Sequence, residues 1–228
     1  MFSPKTRFTT EPDLFGIIPE PVPARHMLPD WFKKLPTHAQ KEDGWLGKTI
    51  KRCPPVLDAM STGYILVTPA EIELVISEAG DLVNWRSDFF RPVLQAHTED
   101  QITGNPNLPK PPLKFLNYWA IQTPKGWSTL FTNPLNRDNS IIDAMSGIVE
   151  TDKYFEYVNF PAFLKTKGKT ITLPRGYPLV QATPFKRGME KKSKIEPMNE
   201  ADLARLKRTR DMRSSQPSLY RETMWERK

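Results

Sequence analysis

Three short stretches of this 228-residue chain carry side chains that could do chemistry, and each implies a different reaction class. Glu150-Thr151-Asp152 follows the apolar run Gly147-Ile148-Val149. On a strand, residues two apart share a face, so Glu150 and Asp152 would point together and could hold a proton, a water or a ligand in an acidic pocket. His97-Thr98-Glu99 supplies two of the three ligands of a non-haem iron facial triad. The third should be a histidine further along; the remaining ones, His26 and His38, both precede it, so no metal site is expected. Cys53 follows Lys51 and Arg52, a setting that lowers a thiol pKa when the charges are close in space. A nucleophile also needs a base, and no Cys/His arrangement is evident, so Cys53 reads as a small buried hydrophobe. No phosphate-binding glycine loop, dinucleotide fingerprint or nucleophile elbow occurs. The chain therefore presents no complete catalytic set and no cofactor motif, and it reads as a binding protein before an enzyme.

The elements that must position these residues are short. Aromatic and β-branched runs recur between Pro/Gly turns from Phe115 to Arg187: 115–122, 127–131, 147–152 and 173–182. That spacing is the signature of an antiparallel sandwich or barrel, of jelly-roll or β-clip type. Gly63–Pro69, Glu71–Ile76 and Leu82–Trp85 read as a three-stranded meander, and 118–121 with 127–131 as a hairpin across Pro124-Lys125-Gly126. Residues 145–152 and 154–160 are expected to be strands, followed by Thr170–Leu173 and Leu179–Phe185.

Composition frames the ends. The 23 prolines are about twice the usual ~5% share, and seven fall within residues 1–44. Proline fixes φ and removes a donor, so 1–44 reads as an extended arm lying on a β domain at 45–187, with one short helix near Leu28–Leu35. From Lys186 onward there are 13 Lys/Arg against 7 Asp/Glu, nearly all of the net charge of +7. Residues 188–228 form a basic tail, helical from an N-cap at Asn199 to about Met212. No run approaches a membrane span, Met1–Lys5 lacks a signal-peptide core, and the single cysteine excludes an internal disulfide. A reducing, cytoplasmic setting is expected.

Two resemblances follow from ordered markers. Asp30-Trp31, Arg52-Cys53-Pro54, Thr123-Pro124-x-Gly126, Asn133-Pro134-x-Asn136, Gly147–Asp152 and Gly176-x-Pro178 resemble a domain of unknown function found in bacteria and phages. That resemblance implies one β domain and no particular activity; a phage origin would place the chain in host cytoplasm or a virion. More locally, Gly147–Tyr154 and Gly176–Gln181 are similar to the closing strands of trimeric dUTPase-like β-clip enzymes. There an aspartate sits at the position of Glu150, the tyrosine follows without Lys153, and a glycine-rich arm replaces the basic tail. These departures argue against nucleotide hydrolysis.

The reading that unites these features is a structural or protein-binding component whose arm and tail hold partners or other copies of the chain. Trp31 and Phe32 in the arm, with Tyr220 and Trp225 in the tail, are aromatic anchors of the kind that dominate interfaces. Two alternatives stand beside it: a small-molecule site or enzyme around Glu150 and Asp152, and nucleic-acid binding through Lys207, Arg208, Arg210 and Arg213.

Overall fold

Alternation in Ile72–Ile76 puts Ile72, Leu74 and Ile76 on a buried face and leaves Glu73 and Val75 outward, as a half-covered strand requires. The same rule organises most of the chain, which is mainly β and built of antiparallel sheets. The computed structural model describes residues 5–40, 44, 46–98, 113–188 and 193–226. Contacts group the chain into two units. One comprises Met1–Pro29 and Met60–Arg187, the other Asp30–Ala59 and Gly188–Lys228. The boundary between these units falls at residues 29 and 30, inside the stretch 1–44, and Gly188–Lys228 groups with Asp30–Ala59.

The first unit has one principal core shared by three sheets. A five-stranded sheet runs in the order Gly147–Val149, Trp127–Thr132, Pro178–Lys186, Tyr64–Val67 and Val22–Pro23. A four-stranded sheet comprises Ile142–Ala144, Phe160–Leu164, Leu113–Phe115 and Leu94–Ala96. The third sheet sets Ile72–Ile76 between Thr170–Leu173 and Val83–Arg86. Leu66, Leu74, Phe115, Ile121, Val180 and their neighbours fill the shared interior. None of these sheets closes into a barrel among the described residues.

Three expected pairings differ. The meander is split: Tyr64–Val67 pairs with Pro178–Ala182, while the next two strands pair with each other in another sheet. Thr68 causes the parting, because its N–H donates to the Tyr177 carbonyl and its hydroxyl to that of Pro174, and Pro69 has no N–H to continue the ladder. The hairpin across Pro124–Gly126 is a turn without a hairpin. Ala120–Gln122 pairs with Arg7–Thr9 of the arm, and Trp127–Thr132 pairs with Gly147–Val149 and Pro178–Lys186. Finally, residues 150–153 form a turn, and the strand expected over 154–160 begins at Phe160.

The first part of the arm lies on its own unit. Phe8 meets Tyr64 edge-on at 4.7 Å, Leu14 and Ile18 are buried beside Tyr118 and Trp119, and Trp119 Nε1 donates to the Pro19 carbonyl at 2.9 Å. Arg91 bonds both Glu11 and Asp13 at 2.7 Å and lies over the Tyr118 ring. These contacts hold residues 7–19 in place.

The second unit contains a small hairpin, His38–Gln40 with Leu46–Lys48, and the helix α1 (Asp30–Lys34). It also includes most of α2 (Pro54–Ser61), where two prolines occupy a first turn that needs no N–H donors, and α3 (Glu200–Ser215). At the start of α3 the Asn199 side chain accepts from the Asp202 N–H and the Asp202 side chain from that of Asn199, a complete capping box. The helix runs to Ser215, one turn further than expected.

Candidate functional site

The acidic pair does not form a pocket. Because residues 150–153 turn, Glu150 and Asp152 are not alternate members of one strand. Asp152 folds inward, its side chain only 3% exposed, and both oxygens face Arg187: Nη1 to Oδ1 at 2.7 Å and Nη2 to Oδ2 at 2.5 Å. The Gly126 N–H adds a third bond at 2.8 Å. Arg187 also donates to the Trp127 carbonyl and to Ser128 Oγ. The Arg187 hydrogen bonds hold the Asp152 carboxyl well below the usual range, and Asp152 raises Arg187 in turn. Nearby, the Thr151 hydroxyl lies 2.8 Å from those of both Thr123 and Thr129, all three buried. The Glu150 side chain is exposed. Both carboxylate oxygens of Asp152 are thus engaged within the protein, tying the 150–153 turn to Gly126 and to Arg187 at the end of the Pro178–Lys186 strand.

A groove of the first unit, about 420 Å³, is lined by three carboxylates (Glu71, Glu73 and Asp88) and two arginines. Arg86 pairs with Glu73 at 2.8 Å, and Arg175 donates to the Ile17 carbonyl. Outside that groove, Arg137 Nη2 is buried with no hydrogen-bond partner among the described residues, and burial pushes its pKa down. Among the described residues no cluster of three His, Cys, Asp or Glu could hold a metal. Glu99 of the His97–Glu99 pair, and the 99–112 part of the long loop, lie outside the described residues.

The aromatic anchors divide. Phe32 is buried and meets Trp31 edge-on at 5.5 Å, with Trp31 itself 43% exposed. Trp225 donates its indole N–H to Asp58 at 2.9 Å, while Tyr220 remains 49% exposed. Lys207, Arg208, Arg210 and Arg213 all lie on α3 with exposed side chains. No residue of α3 is buried, and its apolar residues do not gather on one face. Leu203 and Met212 stand in solvent among five Lys/Arg and three Asp/Glu.

A second group has no counterpart in the sequence reading. Lys48, Arg52 and Arg221 line one cavity of the second unit together with Tyr220. In sequence, the run Lys51-Arg52-Cys53-Pro54-Pro55 is marked only by its thiol. The approach of residues 217–221 to it is a long-range contact with no local signature.

No family model matches this chain. No curated protein matches it either. Among solved structures it is similar to a point-mutant dUTPase from phage phi11 of Staphylococcus aureus, at 11% identity and a TM-score of 0.34 over 60% of this chain and 84% of that one. It is also similar to the dUTPase of Staphylococcus bacteriophage 80alpha, at 8% identity and a TM-score of 0.35 over 61% and 85%. A likeness of this size carries no argument about activity. Among the described residues no helix is long and apolar enough to cross a membrane.

Proposed function

We propose that this chain is a non-enzymatic binding component whose helix α3 presents a basic surface, studded with apolar side chains, to a protein partner. One observation carries the reading: a 16-residue helix, with its start specified by a complete capping box, buries none of its side chains. Most helical stability in proteins comes from burying a face, and this helix leaves every face, apolar side chains included, open to a partner. The side chains offered are of the interface type: Arg205, Arg208, Arg210 and Arg213, with Leu203 and Met212 exposed on the same helix. With residues 7–19 tied to their own unit, the contact role expected of arm and tail together falls to the tail.

The mixture of arginine with exposed methionine and leucine favours an acidic protein surface, either another protein or a second copy. The basic charge alone favours nucleic acid, and salt separates the two. Phosphate contacts weaken steeply as salt rises, whereas an apolar-plus-arginine interface loses less.

The test places a photo-crosslinking residue at Met212 in the intact chain and records native masses alongside. A discrete protein adduct, or a defined oligomer, that disappears in Arg208→Glu/Arg210→Glu supports the proposal. Circular dichroism should be unchanged in that variant, because neither side chain is buried. Absence of any protein adduct, with oligonucleotide binding that falls steeply between about 50 and 200 mM salt, would hand the tail to nucleic acid.

A further inference from the structure

One cavity of the second unit holds about 300 Å³ and, among the described residues, is lined by three cations and no carboxylate. Its positions are built, not incidental. Lys48 ends the Leu46–Lys48 strand and donates from Nζ to Ser218 Oγ at 2.6 Å. Arg52 closes the short helical turn Ile50–Arg52, and its Nη1 lies 2.9 Å from His38 Nε2. A guanidinium can only donate, so His38 accepts at Nε2, carries its proton on Nδ1 and donates it to Thr37 Oγ1 at 3.2 Å. That chain orients the guanidinium from behind. Arg221 comes from the turn Tyr220–Met224 and, among the described residues, has no ion pair.

Two acidic residues on the neighbouring elements are engaged elsewhere: Asp58 accepts from Trp225, and Glu222 from Gln216. Three like charges sharing one concave surface repel, and no described residue lining that surface carries an opposite charge. Apart from Ser218, the rest of the lining is mainly apolar. Pro54, Pro55 and Pro217 provide fixed walls, and Tyr220 adds an aromatic ring.

We infer that this cavity binds a small aromatic phosphate ester. Its phosphate would sit among Lys48, Arg52 and Arg221, where two guanidinium forks match the geometry of phosphate oxygens. Its ring would lie against Tyr220 and the prolines. A phosphomonoester carries nearly two negative charges at neutral pH and meets the three cations better than a single carboxylate does. The volume lies at the lower end of the range for ligand pockets, which fits one small molecule. The inference does not rest on the protein-partner reading of α3.

The experiment titrates the intact protein with 2-naphthyl phosphate by calorimetry, with 2-naphthol and inorganic phosphate as separate probes. Cys53, the single cysteine, lines the same cavity, so its alkylation rate gives a second readout. One equivalent of 2-naphthyl phosphate should bind and slow alkylation. Inorganic phosphate should compete weakly and 2-naphthol should not bind. Arg221→Gln, which removes no ion pair to a described residue, should weaken binding at least tenfold and abolish the protection of Cys53. Lys48→Gln should do the same, with unchanged circular dichroism. No binding at millimolar concentration, equal binding of naphthol, or binding untouched by both substitutions would overturn the inference.

Discussion

Asp152 and Arg187 are 35 residues apart and meet through two parallel hydrogen bonds, 2.7 and 2.5 Å long, with the carboxylate almost wholly covered. This pair turns a promising acidic motif into a clamp at the end of the five-stranded sheet. Removing one partner leaves the other without its counter-charge, which costs more than the pair itself contributes.

Asp152→Asn should therefore lower the melting temperature, and it should also change the pH profile. The folded-state pKa of Asp152 is depressed, so its contribution is present above the ordinary aspartate pKa of about 4 and lost as pH falls below that value. The native protein should lose stability steadily from about pH 5 downward. The variant, less stable at neutral pH, should show a shallower decline, read by thermal melts from neutral to strongly acidic pH. Parallel profiles would remove the clamp from the account.

Arg137 points the other way. A buried Nη2 without a partner costs about 1–3 kcal/mol of desolvation, and part of that is recovered by an apolar replacement of similar length. Arg137→Met should raise the denaturant midpoint, by about 1 kcal/mol in free energy. A lower midpoint would mean that the guanidinium stabilises this loop.

Gly63 adopts φ +69°, and a Cβ there would fall 2.1 Å from the Ala182 carbonyl oxygen on the paired strand. Gly126 has φ +84° with nothing within 4 Å. The left-handed conformation alone costs about 1–2 kcal/mol for alanine. Gly126→Ala should lose about that much, and Gly63→Ala clearly more, as the steric conflict adds to it. Equal losses would show that the strands can part at no cost.

Arg91 fastens the arm through Glu11 and Asp13. Arg91→Gln should speed hydrogen exchange at Leu14, Phe15, Ile17 and Ile18, whose amides bond within the arm's own turns. Exchange in Ile72–Ile76 should stay as it was. High salt should reproduce part of the effect, since these pairs are partly exposed.

Much of the local structure is legible without coordinates. Alternation in Ile72–Ile76, the β-rich stretch from Phe115 to Arg187 and the Asn199 cap all rest on spacings of a few residues. Such spacings act on the backbone directly, whatever lies beyond them. Strand existence follows from that information, and so does the start of α3.

Partner choice does not. Ala120–Gln122 could pair with the neighbouring strand or with Arg7–Thr9, and local pattern cannot rank the two. The choice depends on which arrangement buries Phe8, Leu14 and Ile18 beside Tyr118 and Trp119. Sequence spacing puts Glu150 and Asp152 together, but only the folded chain brings Arg187 to Asp152 and turns the two carboxylates to different tasks. Likewise, Lys48 and Arg52 become a cation cluster only where Arg221 returns from the far end of the chain. The sequence determined the kinds of most elements, because those are set by neighbours along the chain. Tertiary structure decided which charges are used up and which stay open to a partner, because burial and counter-charges come from residues far apart in sequence.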